Sequence, residues 1–579
     1  MSNTVDIIYF PGDDRAEDAS VVVRDVANAA LTRAGEITGN AYSFNWITED
    51  QDPRLTVGLR VLKRMEGLGI NMLDDANRKN PEVLDFLIDS DLATIQSKYP
   101  SVDVRELPFV KDAAESLKTL NVLVPAGGTL ELIKKIGYAY KGATGTLSGK
   151  GTPSSINVFI RKKLLSDACV RDFKNVAPRD FVEVDVNMAV FVGPEGVVSE
   201  SAHLEGTDYT DAKIITDKSK AIVQAAFDYA KENGIDKVHV AQKGNILKQS
   251  DGAFVEYGRE ISKATGIDME YIIFDNFLQR ITKNPDWFKV VVTTNFYGSD
   301  FLIPFNQSMF TEVDTKDLGA EVGKFYRFEG KNADFTKAKI DTRCYRQNNE
   351  GFYIGEDTHT DTEAINFRRI TRKMSENIIS YCLDDSLDRD ANHVCILYSP
   401  NLKGDQLFLE VAKGIAGNDK YSGLDIHFMT IAEFCNHTIK NAEKIDSVVG
   451  TNLTMDFLTD AEASKIGGIG MMPSFNYTLE TGTVISEPGH GTAPDLSPDQ
   501  INPGASLWAM AALLQHMGND RSGRLDENQK GTLLKASELM YEATTQFYAA
   551  GINLTGDLGG SGSTTGVGTG IKDIMAKLG

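Results

Sequence analysis

The chain of 579 residues is predicted to be an α/β protein with a large domain and two tandem copies of a smaller α/β unit. Three observations lead there. Short apolar runs of strand length alternate with helical stretches from end to end. A composition of 41% hydrophobic and 25% charged residues supplies packed cores, and the length calls for more than one of them. Finally, one segment recurs at a spacing of about 155 residues.

The opening run VDIIYF (5–10) reads as a buried strand, and PGDDRAED turns it into the amphipathic stretch VVVRDVANAALTRAG. LNVLVPAG (120–127) belongs to the same domain. Strand-like runs follow at MAVFV (188–192), KVHVA (237–241), YIIF (271–274), KVVVTT (289–294), VCILY (394–398) and DSVVGT (446–451). NPGASLWAMAALLQHMG predicts a long helix. LTGDLGGSGSTTGVGTG has the composition of a flexible linker, although its Asp557-Leu558-Gly559-Gly560 reads as an ordered turn.

The repeat is collinear. PEGVV…AKIITDKSKAIVQAAFDYA (194–230) aligns with NEGFY…FRRITRKMSENIISYCLDD (349–385), VHVAQKGN (238–245) with VCILYSPN (394–401), and VVTTNF (291–296) with VVGTNL (448–453). The expected layout is a large domain in two parts, 1–175 and 448–579, enclosing repeat 1 at 176–310 and repeat 2 at 311–447.

A net charge of −22 argues against nucleic acid or an anionic membrane surface as partner, because both need a basic face. No apolar run approaches the ~20 residues that span a bilayer. MSNTVDIIYFPGDD has neither a signal core nor an Arg-rich leader. Five scattered cysteines without a C-x-x-C fit buried thiols in a reducing compartment, so a cytoplasmic location is expected.

The segments that carry chemistry are SSINVFIRKKLLSDACVR (154–171), KGNILKQSDGAF (243–254), FDNFLQRI (274–281), TNLTMDFLTDAEASKIGGIGMMPS (451–474), EPGHGTAPDLSPDQINP (487–503) and GDLGG (556–560). Asp456 and Asp460 are four apart and share a helix face, and with Asp275 they offer an oxygen-only set suited to Mg2+ or Mn2+. Together the segments resemble the isocitrate and isopropylmalate dehydrogenase family of β-decarboxylating dehydrogenases. The resemblance implies an isopropylmalate-dehydrogenase-like large domain with an open mixed sheet, and the oxidation of a 2-hydroxy acid followed by loss of CO2. It implies metal ligation by Asp275, Asp456 and Asp460. Arg161, Arg171 and Arg346 match the arginines that grip the substrate carboxylates, for which a planar two-pronged donor is suited. Ser155 and Asn157 match the positions that hold isocitrate's additional carboxylate, with Thr144 or Thr146 nearby. Lys243 is implied as the base-side group and Tyr353 as proton donor to the enolate carbon.

The repeats are unequal in a complementary way. The first keeps Lys243 and Asp275 but has Phe191 and Val198 where the second has Arg346 and Tyr353. The second also keeps Asp456 and Asp460, but has Ser399 in place of the lysine and Ala432-Glu433 near the aspartate position. TNFYGSDFLIP (294–304) resembles the two-aspartate segment with one residue inserted, leaving Asp300 a structural role. One chain is therefore expected to fold as a pseudo-dimer with one complete site, as a monomer or as a homodimer through another surface.

His490, Gly491, Thr492 and Ala493 resemble the adenine-ribose loop, with Asn502 as an adenine contact. Asp495 and Leu496 stand where NADP-type relatives carry lysine and tyrosine. A carboxylate accepts hydrogen bonds from ribose hydroxyls and repels a 2′-phosphate. No Lys or Arg lies between Lys535 and Lys572, where those relatives place a further cationic clamp. NAD is the expected cofactor and isocitrate the expected substrate. The alternatives are homoisocitrate or 3-isopropylmalate as substrate, the latter disfavoured by Ser155 and Asn157, or a non-catalytic regulatory subunit. If one chain holds the whole site, Lys243→Met and Tyr353→Phe made in separate chains and mixed will not rescue each other in a turnover assay. Recovery of activity in the mixture would show sites formed between chains.

Overall fold

Backbone hydrogen bonds gather the strands into three sheets in a computed structural model that describes residues 3–12, 14–48, 129–144, 156–194, 203–204, 207–247, 250–354, 357–359, 363–400 and 402–578. The largest sheet has ten strands, in the spatial order Asp425–Thr430, His393–Tyr398, Ser447–Gly450, Asp341–Gln347, Ala168–Lys174, Pro473–Thr478, Thr483–Pro488, Tyr138–Lys141, Thr4–Phe10 and Ser43–Thr48. It is the open mixed sheet that the resemblance implies. Pairing is antiparallel at its three central junctions and parallel towards both edges. The helix Gly504–Gly518 lies on Pro473–Thr478 and Thr483–Pro488, and is itself packed against Glu527–Ala550. No helix among the described residues is long and apolar enough to cross a membrane.

The glycine-rich C-terminal stretch is ordered rather than a linker: Gly556–Leu558 forms the expected turn, and a helix begins at Thr564. Ser563 caps the helix Thr564–Met575 by accepting from the Gly566 N–H. A Cβ on Gly568 would lie 2.5 Å from Val22 Cγ1, and one on Gly570 would lie 2.4 Å from Phe547. These glycines let three helices meet closely, and that packing outweighs their poor helix propensity.

A six-stranded sheet follows the order Thr311–Asp317, Lys324–Lys331, Asp185–Val192, Val290–Thr293, Lys237–Gln242, Asp268–Ile273. Its last four strands match Asp341–Gln347, Ser447–Gly450, His393–Tyr398 and Asp425–Thr430 of the large sheet in order. The match is in register between the second and last pairs of strands: His239 pairs with Val291 as Cys395 pairs with Val448, and Lys237 with Asp268 as His393 with Asp425. The pairing of Asp185–Val192 with Val290–Thr293 is one residue out from that of Asp341–Gln347 with Ser447–Gly450. We call residues 185–331 the first unit and 341–465 the second. The hairpin 311–331 was expected in repeat 2, but Lys324–Lys331 pairs antiparallel with Asp185–Val192. The reason is an edge to be covered. Ala168–Lys174 does this for Asp341–Gln347, and the first unit supplies its own cover.

In the third sheet Thr207–Ile215 runs antiparallel to Glu363–Thr371. The pairs Asp211↔Phe367 and Ala212↔Asn366 exchange with one another under the alignment that sets Ala212 opposite Phe367, as a local two-fold axis requires. The helices obey the same relation. Phe274–Lys283 packs on Asn452–Lys465, and the counterpart Ile431–Lys440 packs on Ile303–Met309. Where Asn452–Lys465 is continuous, its counterpart is interrupted by the π turn Gly298–Leu302, which accommodates the inserted residue.

An aromatic cluster closes the seam between the units. The Phe457 ring, fully buried, lies 4.8 Å from Phe274, 5.0 Å from Phe301 and 5.4 Å from Tyr297 between centroids. Phe457→Ala leaves a cavity in this seam and is expected to cost about 3–5 kcal/mol, read as a lower denaturant midpoint.

Candidate active site

Lys243 follows the strand Lys237–Gln242, and its N–H donates to Asp251 Oδ2 at 2.9 Å, which fixes the turn. Its ammonium lies 2.6 Å from Asp275 Oδ2 and 2.7 Å from Asp456 Oδ2. Asp275 stands in the first turn of Phe274–Lys283, and Asp456 and Asp460 occupy successive turns of Asn452–Lys465. Arg346, at the end of Asp341–Gln347, donates to Asn452 Oδ1 at 2.8 Å and forms an ion pair with Asp456. Tyr353 donates its hydroxyl to Asp456 Oδ2, and Arg171 reaches Asp460 at 3.1 Å and Asp456 at 3.8 Å. The structure thus brings Lys243 and Asp275 of the first unit against Arg346, Tyr353, Asp456 and Asp460 of the second.

Charge is strongly redistributed here. Burial alone would raise the Asp456 carboxyl, but Arg346, Lys243 and Arg171 hold it far below the usual carboxylate range. Burial and the neighbouring Asp275 push Asp460 up to about 7, with Arg171 opposing. Burial works against the Lys243 ammonium, yet Asp275 and Asp456 keep it well above its ordinary value. Burial and Asp456 likewise raise the Tyr353 hydroxyl.

At the pole related by the local two-fold the same frame carries a different set of charges, in which the turn-fixing Asp405 is paired with the buried Arg368. Ser399 N–H donates to Asp405 as Lys243 N–H does to Asp251, but the Ser399 hydroxyl meets Asp300 at 3.1 Å instead of an ammonium meeting an acid. Phe191, at the Arg346 position, packs edge-on against Tyr229 and Phe325.

Three carboxylates at the charged pole form a donor set for a hard divalent cation. Asp275 Oδ1 is buried without a hydrogen-bond partner, and Asp460 suffers the charge of Asp275, both of which a cation would relieve. Their oxygens do not lie within 4.8 Å of one another, because Lys243 and Arg171 interleave with them. Asp275, Asp460 and Arg171 face a cleft of about 1410 Å³; Lys243, Arg346, Tyr353 and Asp456 lie buried behind that wall.

Along the cleft Arg161 pairs with Glu487 at 2.7 Å and Lys141 with its other oxygen at 2.6 Å. Burial would raise that carboxyl, but Lys141 and Arg161 hold it well below its usual range. Asn157 accepts from the Thr144 hydroxyl at 2.9 Å, and both side chains line the cleft. Ser155 and Thr146 fall outside the described residues.

The far end is lined by His490, Gly491, Thr492, Ala493, Asp495 and Leu496, and by Gly556 and Asp557. Asn502 is buried with its amide engaged at both ends, accepting from Tyr548 and Gly504 and donating to Asp557 at 2.9 Å. It anchors the Gly556–Leu558 turn to the loop. Lys141 and Glu487 were not singled out from the sequence, although Glu487 opens the segment 487–503 quoted above. Nor were cations expected outside 535–572; the opposite wall carries Arg280 and Lys283, the latter donating to the Gly467 carbonyl at 2.6 Å.

The model of the isocitrate/isopropylmalate dehydrogenase family matches residues 114–303 and 324–571. Homoisocitrate dehydrogenase of Methanocaldococcus jannaschii is 31% identical over 268 residues, 46% of this chain and 70% of that protein. The mitochondrial NAD isocitrate dehydrogenase subunit alpha of Pongo abelii is 32% identical over 219 residues, 37% of this chain and 58% of that subunit, less than two thirds of its length. The crystal structure of the TT0538 protein of Thermus thermophilus superposes with a TM-score of 0.51 at 15% identity, covering 99% of this chain and 68% of that one, a likeness of fold.

The turn bearing Tyr353 is held by Glu350, whose carboxylate accepts from the Thr371 N–H at 2.7 Å and from Gln347 at 3.1 Å. Burial, opposed by the Thr371 hydrogen bonds, raises this acid from 4.5 to about 7. The folded protein therefore keeps a proton that the unfolded chain loses. That contribution to stability is complete below pH 4.5 and disappears as pH rises through 7. Glu350→Gln should gain on the parent across this window, by on the order of 1.4 kcal/mol per pH unit, in paired thermal melts at about pH 5 and pH 8.

Proposed function

Since the chain belongs to the isocitrate/isopropylmalate dehydrogenase family, we propose that it catalyses NAD-dependent, divalent-metal-dependent oxidative decarboxylation of isocitrate to 2-oxoglutarate and CO2. The observation that carries this reading is the convergence of Lys243, Arg346 and Tyr353 on the Asp456 carboxylate, directly behind a cleft walled by Asp275, Asp460 and Arg171.

Asp275, Asp456 and Asp460 would hold the cation, which supplies the electron sink at the ketone oxygen that loss of CO2 needs. Lys243 is the base-side group, held at Nζ between two of these acids, and it would take the substrate hydroxyl proton after passing its own to one of them. Tyr353 stays protonated through burial and its acidic neighbour, so it has a proton to give to the enolate carbon. Arg171 and Arg346 orient carboxylates at the closed end. Arg161 and Asn157 offer polar contacts further out, which favours a substrate with a third carboxylate over one with an apolar branch.

Asp495 at the loop disfavours a 2′-phosphate, and the Lys283 ammonium across the cleft is already bound to a backbone carbonyl, so NAD is the cofactor proposed. Matching strand order, the shared register of the two outer strand pairs and the local two-fold support a single-chain pseudo-dimer with one complete pole. Homoisocitrate is the second reading, because a homoisocitrate dehydrogenase is 31% identical to this chain. A regulatory role fits less well with a full set of lysine, tyrosine and three acids.

Purified protein given isocitrate and Mg2+ or Mn2+ should reduce NAD in preference to NADP, with activity lost to chelator. Lys243→Met and Tyr353→Phe should each lower kcat by about 10²–10⁴-fold. A higher kcat/KM for homoisocitrate would transfer the assignment to that substrate. Nucleotide binding with no turnover of either acid would establish the regulatory role instead.

A further inference from the structure

We infer that His393, Asp425 and His427 form a binding site for one transition-metal ion of the Zn2+ class, apart from the cleft. They lie at the edge of the ten-stranded sheet, where His393 pairs with Asp425 and Cys395 with His427 in neighbouring parallel strands, so that all three side chains share one face. Two imidazole nitrogens address one oxygen: His393 Nδ1 and His427 Nε2 each lie 3.0 Å from Asp425 Oδ2. Among the described residues this is the only group of three such side chains with donor atoms within 4.8 Å of one another. With metal–ligand distances of about 2.0–2.2 Å, an edge of 3.0 Å subtends about 90° at the ion, within the range of a site completed by water. All three side chains are about half exposed, which leaves room for that water.

The first unit shows what a purely structural arrangement looks like at these positions. There Lys237 pairs with Asp268 and His239 with Glu270, and the Lys237 ammonium lies 3.0 Å from Glu270 and 3.8 Å from Asp268. An ion pair suffices to tie the two strands. The second unit keeps the aspartate but has His393 for the lysine and His427 for the glutamate, exchanging an ion pair for an N2O donor set. Hydrogen bonds from His427 and His393 hold the Asp425 carboxyl below its usual range, as suits a ligand. His437, on the helix Ile431–Lys440, also faces the group; burial, then His427, Lys444 and His393, keep its imidazole below the ordinary value. Imidazole donors select Zn2+, Co2+ or Ni2+ over the Mg2+ suited to the carboxylate set in the cleft.

Zn2+ titrated into the full chain in a large excess of Mg2+ tests this by calorimetry. The control is the double variant His393→Lys/His427→Glu, which installs the ion-pair residues of the first unit and should fold. The parent is expected to take up one more equivalent of Zn2+ than this variant, and Zn2+ should raise the melting temperature of the parent alone. If the double variant lacks the parent's near-UV circular dichroism, His427→Gln replaces it, with at least tenfold weaker binding expected. Equal Zn2+ stoichiometry and affinity in parent and folded variant would overturn the assignment.

Discussion

Everything at the centre of this molecule depends on one buried carboxylate. Asp456 accepts from Lys243, Arg346 and Tyr353, with Arg171 close by, and these groups arrive from three segments far apart in the chain. A buried charge is tolerable only when it is paired and hydrogen-bonded, so the fold has to deliver all of these partners together. The local two-fold makes that delivery possible. It lays Phe274–Lys283 along Asn452–Lys465 and sets the lysine turn of one unit over the aspartate helix of the other.

The two poles of that axis show how one framework supports different electrostatics. Asp251 and Asp405 fix the backbone turn identically at both, yet one turn carries an ammonium between acids and the other a serine hydroxyl against a single aspartate. Aromatic packing stands at the second pole where the first has Arg346, and the buried guanidinium there is instead Arg368, paired with the turn-fixing Asp405. Backbone geometry is kept while the chemistry is not.

Much of this was legible in the sequence, for physical reasons that differ by residue. Asp456 and Asp460 reveal a shared face by their spacing, and the unequal repeats point to Lys243 and Asp275 meeting Arg346 and Tyr353. Lys141 and Glu487 escaped because their significance lies in a contact between separate strands, which no local pattern encodes. Thr564–Met575 was hidden by composition, since its glycines answer to neighbouring helices rather than to helix propensity. The hairpin 311–331 was misplaced because covering a sheet edge is a non-local demand. Asn502 lines the cleft as the expected contact would, while its amide also ties the loop to the Gly556–Leu558 turn, a role no local pattern encodes.

The antiparallel pairing of Thr207–Ile215 with Glu363–Thr371 carries a further consequence. In an assembly of identical chains every substitution appears twice, once at each symmetry-related place, and must be tolerated at both. Here the two strands are parts of one polypeptide, and a change in one has no twin in the other. Each side of the seam is free to drift alone, so the contact can become specific to its own chain and cease to be sticky towards a second copy.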